Sequence, residues 1–471
     1  MFGVSELIWQ WGGILTGGAV LCLLLEVVGT PIGFRKIGKR PHIAALALLL
    51  ALVLGIYFFF YARDIDSLAH FSICLCSVVS VFSIGLAIPQ MRHMDHERGE
   101  AYALLLIALL TSVVLCTIDN IVHLATCATV WFSTAALLIA FRGTKVLTAE
   151  IAAKLIFFST IVLLFLTLAA ALAFFATGDT GFSELAASSN TNIVAKTALA
   201  FTFVSLLFFL GAFPFCWFHV DYLDGAPSFA AATFFASGLI GGGVILSRLI
   251  DACRVASVLE GPLTTSLFLF AALSLFVPSV LGLDQQRVGR MCVYLLISQV
   301  GLIICGAFLP QSIQMFTNTN LMLIFSNLAI ATPGLIGGLN FWKTSKNAEK
   351  TWEEYAGGGR KYPVAACSWI IILASLAGIP GTLGFVGRLT MIEDAIHHGH
   401  VWLAICLVLS IVICSVPVVR LAIFLFAKPT TFELLHNHQP RQLPLIILCS
   451  ALIFIGGFIP GIILQLIKIQ F

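Results

Sequence analysis

The chain has 471 residues, of which 60% are hydrophobic and only 10% are charged, and its formal net charge is +3. This composition excludes a soluble globular protein and gives no basic surface for nucleic acid, because too few polar side chains are present. It predicts an all-α polytopic membrane protein, since helices satisfy every backbone polar group inside a bilayer.

Apolar runs long enough to cross a bilayer as helices recur along the chain, and we count about fourteen of them. The predicted spans are residues 8–29, 42–61, 70–89, 101–118, 120–141, 151–176, 193–216, 228–250, 263–282, 290–308, 317–341, 364–396, 401–427 and 442–467. Residues 1–11 lack a basic region and a small-residue cleavage site, so we expect the first span to be retained.

Lysine and arginine residues are unevenly divided between alternate loops. Seventeen of the 25 lie in one set of loops and three lie within spans, whereas the other set holds only Arg63, Lys196, Arg248, Arg254 and Lys468. Because basic loops are retained on the cytoplasmic side, we predict that both termini face away from the cytoplasm. The longest polar segment, about 343–363, predicts a turn-rich loop rather than a domain.

Two spans are interrupted by proline. Pro214 is followed by an acidic turn at 221–227, and a second break lies within 375–388, around Pro380. Proline removes a backbone donor and frees a carbonyl, which hydrocarbon tolerates only where neighbouring helices or water satisfy it. Paired interrupted helices in the two halves of a membrane chain indicate transport.

Cofactor and metal sites are not predicted. The thirteen cysteines are scattered through apolar spans, which favours packing, and no dinucleotide, phosphate-loop or nucleophile motif is present. No ligand set for flavin, haem or an iron–sulfur cluster is found, so we expect no bound cofactor. His397, His398 and His400 favour a solvated loop, with a metal site completed by Glu393 or Asp394 as the alternative.

Several fragments, in their order and spacing, resemble one family. They are residues 150–158, 176–180, 214–227, 285–301, 352–363 and 375–388. Across about 101–426 the chain is similar to the antiporter-like membrane subunits of respiratory NADH:quinone oxidoreductase (complex I), and most similar to the N-type subunit. The resemblance implies inverted bundles of five helices, each with one discontinuous helix. The implied divisions are an N-terminal three-helix segment at 1–100, a first bundle at 101–250, a second bundle at 263–427 and a C-terminal helix at 428–471.

Such subunits carry protons along buried charged residues near mid-membrane. This chain departs from that pattern. Thr129 stands at the family's fifth-span glutamate, Phe209 at its seventh-span lysine, and Gly238 or Leu239 at its eighth-span lysine. In the tenth span, Gly289 and Gln299 stand where the family has lysine and histidine. The first bundle therefore lacks its central titratable pair.

The remaining candidates for a proton pathway are polar or charged side chains in or near the spans. They are Arg388, Lys154, Glu150, His123, Asp221, Asp224 and Arg420. Arg388 matches the family's twelfth-span lysine, but a guanidinium does not readily release a proton. It acts either as a fixed charge or as the partner of Glu393 or Asp394.

The other candidates also carry two interpretations each. Lys154 and Glu150 have the favoured helical ion-pair spacing, so Lys154 either snorkels to the interface or donates protons. His123 is a candidate for proton exchange or for contact with interfacial water. We expect Asp221 and Asp224 to cap the next helix, with proton entry as the alternative, and Arg420 to be structural.

The sequence therefore predicts membrane-arm subunit N of a proton-translocating NADH:quinone oxidoreductase, structural and with a modified proton pathway. It is not expected to be catalytic alone, because NADH and quinone are handled by other subunits. Its partners would be neighbouring membrane subunits and lipid, in a bacterial inner membrane or a mitochondrial one. The alternatives are a diverged subunit of a cation/proton antiporter or membrane-bound hydrogenase complex, and an independent secondary transporter, which the apolar break at 211–216 disfavours.

Overall fold

A computed structural model describes residues 12–23, 41–61, 66–93, 99–139, 141, 146–258, 262–309, 318–342, 351–428 and 442–461. Helices account for nearly all of these ranges, and no strand forms within them. The predictions made for residues 1–11, for the N-terminal half of the 343–363 loop, and for Arg63 and Lys468 concern parts of the chain outside the described residues.

The helices are named here in chain order. They are α1 (Gly12–Leu23), α2 (Pro41–Tyr61), α3 (Ser67–His93), α4 (Gly99–Leu115), α5 (Ile121–Ile139), α6 (Val146–Thr177), α7 (Phe182–Ser189), α8 (Ile193–Leu210), α9 (Trp217–Gly225), α10 (Ser228–Val255), α11 (Pro262–Leu283), α12 (Val288–Phe308), α13 (Thr319–Phe341), α14 (Gly358–Lys361), α15 (Pro363–Ala377), α16 (Leu383–His397), α17 (Val401–Phe426) and α18 (Leu443–Phe458).

The predicted spans are confirmed. Within the described ranges nine helices are long and apolar enough to cross a membrane, and five shorter apolar helices bring the total to fourteen. Each predicted span contains one helix or one broken pair of helices. The two largest differences lie at the predicted runs 193–216 and 364–396, because the first helix ends at Leu210 and the second run divides into α15 and α16.

Both interruptions end a helix in the same way. Gly211 follows α8 with φ 68° and ψ 38°, and Gly378 follows α15 with φ 81° and ψ 36°. Glycine adopts this left-handed conformation without steric cost, and the backbone N–H groups that follow turn back onto the last carbonyls. Pro214 and Pro380 then prevent the helix from continuing.

The breaks reveal a repeat of five spans. The first bundle contains α4, α5, α6, the pair α8 and α9, and α10; the second contains α11, α12, α13, the pair α15 and α16, and α17. The fourth span is broken in each. Because five is an odd number, the second unit enters the membrane from the opposite side, which gives the inverted arrangement. The predicted division into 1–100, 101–250, 263–427 and 428–471 stays a prediction.

Helix α10 lies at the centre of the molecule. Every residue from Ser228 to Ser247 is buried, and α10 packs against α3 of the N-terminal segment and α13 of the second bundle. Its N-terminus is held by polar side chains from both neighbours: Gln90 Oε1 accepts from the Ser228 N–H at 3.0 Å, and Ser228 Oγ donates to Asn340 Oδ1 at 2.5 Å. The bundles and the N-terminal segment therefore share one core.

Candidate functional site

Arg388 fills the break in the second bundle. The side chain is 1% exposed and donates from Nη2 to the Leu376 carbonyl oxygen at 2.7 Å and from Nη1 to the Ala377 carbonyl oxygen at 2.5 Å. These carbonyls end α15 and lack helical partners, and a cation there also complements the helix dipole. A side chain on Gly378 would meet Arg388 Cδ at 2.6 Å, so only glycine leaves room for the guanidinium. Arg388 is therefore a fixed charge that closes the helix end.

The alternative partners proposed for Arg388 are engaged elsewhere. Asp394 accepts a hydrogen bond from Asn320 Nδ2 at 2.6 Å, on α13. Glu393 is exposed on the outer face of α16. Of the two roles left open for Arg388, the pairing with Glu393 or Asp394 does not form, because the guanidinium turns back across the break instead of along its own helix.

Two further helices, α12 and α13, supply polar groups to this break. Gln299 of α12 donates from Nε2 to the Leu376 carbonyl oxygen at 2.9 Å. Ser375 Oγ donates to Asn327 Oδ1 at 2.6 Å and accepts from the Gly384 N–H at 3.0 Å, which ties α15 to α13 and α16. The groups freed by the interruption are thus satisfied inside the protein, as hydrocarbon requires.

A thiol completes this site. Cys414 Sγ lies 3.0 Å from Ser279 Oγ on α11 and 3.9 Å from Ser298 Oγ on α12. Cys414 is also the electrostatic neighbour of the Arg388 guanidinium. We call these buried side chains the second-bundle polar cluster: Arg388, Gln299, Ser298, Ser279 and Cys414.

The break in the first bundle is filled by an imidazole. His219 of α9 is 3% exposed, and its ring lies so close to Gly211 that a Cβ there would stand 2.0 Å from Cε1. The Nδ1 atom has no hydrogen-bond partner. One backbone group of this break is satisfied from α11, where Ser274 Oγ accepts from the Phe213 N–H at 3.0 Å.

Aromatic rings surround His219. The first-bundle aromatic cluster comprises Trp131, Phe132, Phe208, Phe209, Phe218, His219, Tyr222, Phe234 and Phe235. Phe209 packs edge-on to Phe132 with ring centroids 5.4 Å apart. A side chain at Gly238 would meet Trp131 at 2.9 Å. The positions matched to the family's seventh- and eighth-span lysines are therefore occupied by an aromatic ring, at Phe209, or lie against one, at Gly238.

Lys154, Glu150 and Asp221 form one group at the start of α6. Lys154 Nζ lies 2.8 Å from Glu150 Oε1 and 3.1 Å from Asp221 Oδ2. The three side chains are from a third to a half exposed, so they meet solvent or lipid head groups instead of the buried clusters. The predicted helical pair is present, and it also joins α6 to α9.

Asp224 forms the second link of α9. It accepts from Arg290 Nε at 3.0 Å and lies 3.8 Å from Arg287 Nη1, at the start of α12. The expectation that Asp221 and Asp224 cap α10 is wrong. Helix α9 extends to Gly225, so both aspartates lie inside it, and the N-cap residue of α10 is Pro227, which makes no side-chain cap.

His123 and Arg420 lie away from both clusters. His123 is exposed on the outer face of α5, as is Thr129, whose hydroxyl donates to the Ala125 carbonyl oxygen of its own helix. The Arg420 guanidinium lies 4.5 Å over the Trp352 ring and donates to the Leu283 carbonyl oxygen at 3.4 Å. These contacts support a structural role for Arg420 and remove His123 from the interior of this chain.

The described part of the polar loop is packed rather than solvated. Arg360 Nε donates to the Phe426 carbonyl oxygen at 2.9 Å and the Gly357 N–H to the Phe424 carbonyl oxygen at 3.1 Å, so the loop covers the end of α17. Trp352 and Tyr355 are buried, and burial raises the pKa of the Tyr355 phenol. The described residues of the predicted turn-rich loop, 351–363, thus form short helical turns that pack against the neighbouring helices.

The histidine cluster after α16 does not converge on a metal. His398 Nδ1 lies 2.8 Å from the Asp394 carbonyl oxygen, and the His400 ring packs 5.8 Å from that of Phe268. Across the described ranges, no three His, Cys, Asp or Glu side chains come together as metal ligands.

The sequence did not single out His219 or Cys414. His219 stands eight residues after Gly211 and Arg388 ten after Gly378, so comparison of the two glycine-proline breaks could have marked His219. Nothing in the sequence marks Cys414, because its neighbours come from three other helices.

The chain is similar to a known protein family, to named relatives and to solved structures. The family model described as "NADH:quinone oxidoreductase/Mrp antiporter, TM" matches residues 132–414, more than half of the chain. The chain belongs to this family. The match covers both helix breaks, the second-bundle polar cluster and every member of the first-bundle aromatic cluster except Trp131.

Two related proteins are both named NADH-quinone oxidoreductase subunit N. NADH-quinone oxidoreductase subunit N of Trichlorobacter lovleyi is 28% identical over 292 residues, 60% of this chain and 57% of the relative. The subunit N of Cupriavidus taiwanensis is 26% identical over 460 residues, 90% of each chain. The match thus spans less than two thirds of the length of the first relative and nearly all of the second.

Solved structures share the fold. A chain of respiratory complex I from Thermus thermophilus superposes with a TM-score of 0.78 at 19% identity, covering 96% of this chain and 98% of that one. A chain of the membrane-bound sulfane sulfur reductase, an archaeal respiratory membrane complex, gives 0.81 at 20% identity and covers 98% and 96%. A chain of the Mrp complex from Dietzia sp. gives 0.83 at 12% identity and covers 96% of each. At these identities the structures establish the fold alone.

Proposed function

We propose that the chain is the membrane-arm subunit N of a proton-translocating NADH:quinone oxidoreductase in a bacterial inner membrane. The observation that carries this proposal is the match to a subunit N over 90% of each chain. The fold alone does not choose between complexes, since it occurs in complex I, in a sulfane sulfur reductase and in an Mrp complex.

Within that complex, proton exchange by this chain is confined to the second bundle. Titratable or fixed charges in a membrane interior mark ion pathways, and they need polar neighbours to hold water. Arg388 and Gln299 at the second break provide such neighbours. His219 at the first break is instead packed between rings, with the Phe218 centroid 4.2 Å away. The first bundle therefore contributes scaffold.

The chain itself performs no redox chemistry. NADH oxidation and quinone reduction belong to other subunits, and this chain holds no redox cofactor. The donor atoms of the second-bundle polar cluster are a guanidinium, an amide, two hydroxyls and one thiol, a set poor in the paired thiolates or imidazoles that hold iron–sulfur clusters and haem. Its contribution to the enzyme is the movement of charge across the membrane.

Neighbouring membrane subunits are the expected partners. Large apolar side chains such as Phe175, Trp402 and Trp217 are at least 70% exposed on the outside of the bundles, where lipid or another hydrophobic protein surface would cover them. His123 and Thr129 share the exposed face of α5 and would lie near such a boundary.

A subunit of a cation/proton antiporter is the second candidate. It is favoured by the description of the matching family, which names the Mrp antiporter together with NADH:quinone oxidoreductase. The two functions differ in what surrounds the chain, because an antiporter complex needs no NADH-oxidising or quinone-reducing subunits.

Purification of the chain together with its partners distinguishes a complex I subunit from an antiporter subunit. The chain would be tagged in its native membrane, extracted in mild detergent and analysed by mass spectrometry together with its associated proteins, with untagged membranes as the control. Recovery of NADH-oxidising and quinone-reducing subunits in stoichiometric amounts is the expected result. Recovery of antiporter or hydrogenase subunits only, or of the chain alone, would sink the proposal.

A further inference from the structure

We propose that the C-terminal end of α17 binds the head group of an anionic phospholipid, whose acyl chains lie along the outer face of that helix. Arg360 and Lys428 hold the phosphate, and the exposed apolar side chains of α17 contact the chains. We call this surface the α17 lipid site. It does not depend on the proposed function, because it would be present in whichever complex contains the chain, and the proton pathway does not use it.

Two cations meet at the C-terminal end of α17. The Arg360 guanidinium donates from Nε to the Phe426 carbonyl oxygen at 2.9 Å and from Nη2 to the Ala427 carbonyl oxygen at 3.4 Å. Lys428 is the next residue along the chain, and its ammonium lies 3.8 Å from the centroid of the Phe424 ring. Both cations are exposed. Two positive charges from different segments are therefore presented at one point of the surface.

Neither cation is neutralised by a carboxylate. Across the described ranges, no ion pair joins Arg360 or Lys428 to an acid. The acids of the adjoining segments are Asp284, Glu353 and Glu354. Basic residues clustered at the end of a membrane helix attract anionic lipid head groups. The charge at this helix end is thus complementary to a phosphate.

Both side chains keep donors for a phosphate. A guanidinium has five N–H donors, and the two carbonyl oxygens of α17 take only one from Nε and one from Nη2 of Arg360. The ammonium of Lys428 has three donors, and the aromatic ring occupies one side of it. Phosphate oxygens accept such charge-assisted hydrogen bonds. Because the carbonyls already fix its orientation, Arg360 loses little freedom when a phosphate binds.

The position of this helix end also suits a lipid head group. Arg360 and Lys428 belong to the loops predicted to face the cytoplasm, and the cytoplasmic leaflet carries the negative surface potential. Tyr362 follows the basic pair Arg360 and Lys361, and the Lys361 ammonium lies 5.8 Å from the centroid of its ring. Tyrosine is enriched where membrane proteins cross the head-group level.

The outer face of α17 is apolar next to the two cations. Val412, Val416, Val419 and Ile423 recur three or four residues apart, so they share one side of the helix, and each is 49–57% exposed. The stretch from Val412 to Ile423 is about 16 Å long at about 1.5 Å per residue. That length is close to half of a hydrocarbon core of about 30 Å. An acyl chain of one leaflet therefore fits beside these four side chains.

The chemistry of this face favours lipid over a helix of another protein. Helices that pair inside a membrane meet through small residues, which allow close approach, and through polar residues, which form hydrogen bonds. The four exposed residues of α17 are all branched and apolar. The exposed face of α5 differs, because it carries His123, Thr126 and Thr129. The outer face of α17 thus lacks the side chains by which a partner helix is held.

Photo-cross-linking locates the lipid. The tagged chain, in the complex with which it purifies, would be delipidated in detergent and incubated with phosphatidylglycerol that carries a diazirine on its head group. After irradiation, mass spectrometry of peptides measures the cross-link yield at residues 352–361 and 420–428 as a function of lipid concentration. We expect cross-links in both segments. The half-maximal concentration should be at least about tenfold lower than for the matching phosphatidylcholine probe, since two cations attract the anionic lipid.

Charge variants test the two cations. Lys428→Gln and Arg360→Gln should each raise the half-maximal concentration about fivefold, and the double variant about twenty-fivefold. Lys154→Gln is the matched control, because Lys154 is also exposed but lies 2.8 Å from Glu150 and 3.1 Å from Asp221. It should leave the yield at α17 unchanged. Arg360→Gln also removes donors that hold the end of α17, so if that variant does not fold, Lys428→Gln decides.

Three results would overturn the α17 lipid site. The first is equal half-maximal concentrations for phosphatidylglycerol and phosphatidylcholine. The second is a Lys428→Gln variant that cross-links like the parent chain. The third is cross-linking at these segments in the isolated chain but none in the intact complex, which would show that another subunit covers the face.

Discussion

At the scale of single residues, the two helix breaks share one backbone conformation but contain chemically different buried side chains. Gly211 and Gly378 both adopt a left-handed conformation at the end of a broken helix, and each has a buried ring or guanidinium pressed against it. His219 at the first break brings an imidazole into contact with aromatic rings. Arg388 at the second brings donors to two backbone carbonyls. The difference between the bundles therefore begins with these two side chains.

Arg388 should be essential for stability as well as for function. Arg388→Met keeps much of the side-chain volume but leaves the Leu376 and Ala377 carbonyls without their donors, which should cost about 3 kcal/mol or more. We expect a clearly lower thermal midpoint for the purified chain, measured by fluorescence or light scattering. Lys196→Met, at an exposed site, is the control and should leave the midpoint nearly unchanged. Equal midpoints for the two variants would contradict the closing role of Arg388.

Gly238 should resist enlargement. A methyl group there would stand 2.9 Å from the Trp131 ring, so Gly238→Ala should destabilise the chain by about 1–3 kcal/mol through overpacking. Gly289→Ala in α12 is the matched control, because nothing lies within 4 Å of its Cβ position and alanine is the better helix former. The midpoints from chemical denaturation should move in opposite directions. A stabilised Gly238→Ala variant would show that the space beside Trp131 is open.

At the scale of helices, charged pairs join the short helix α9 to its neighbours. Asp221 contacts Lys154 of α6, and Asp224 contacts Arg290 of α12. Asp224 is 21% exposed, whereas Asp221 is 35% exposed, so solvent screens the Asp224 pair less. The second half of the broken span is thus held from two sides.

Asp224→Asn should loosen this attachment. It removes the charge that faces Arg290 and Arg287, which should cost about 1–2 kcal/mol at low salt and less at high salt. Asp251→Asn breaks the more exposed pair with Arg254, 43% and 41% exposed, and should cost well under about 1 kcal/mol. Denaturant midpoints of the two variants, taken at low and at high salt, measure the difference. A larger effect at Asp251 would show that Asp224 does not hold α9.

Much of the helical organisation was predictable from the sequence, because long apolar runs and two proline breaks act locally. The spans and both interruptions follow from these signals. The polar contacts between helices could not be predicted from these signals, since they depend on which helices contact each other. Asp224 follows a proline break in sequence and was expected to cap α10, yet α9 runs to Gly225 and turns it towards Arg290. For Arg388 the sequence left open a fixed charge or a pairing with acids on its own helix, and the guanidinium bonds to carbonyls eleven and twelve residues earlier.

At the scale of the whole molecule, the two bundles share a fold and differ in their interiors. The interior of the first is a cluster of aromatic rings, in which Tyr222 stacks on Phe234 with centroids 4.2 Å apart. The interior of the second holds Arg388, Gln299 and Cys414 among hydroxyl groups. An inverted repeat needs only one conducting half to move charge, provided the other half keeps the shape that its neighbours require.

The ratio of protons moved to NADH oxidised in inside-out membrane vesicles tests this asymmetry most directly. His219→Gln and Arg388→Gln are matched, because each replaces the buried side chain packed on the glycine of one break. NADH oxidation in uncoupled vesicles shows that each variant assembles. We predict a lower ratio for Arg388→Gln and an unchanged ratio for His219→Gln. A lower ratio for His219→Gln with Arg388→Gln unchanged would contradict a proton route confined to the second bundle.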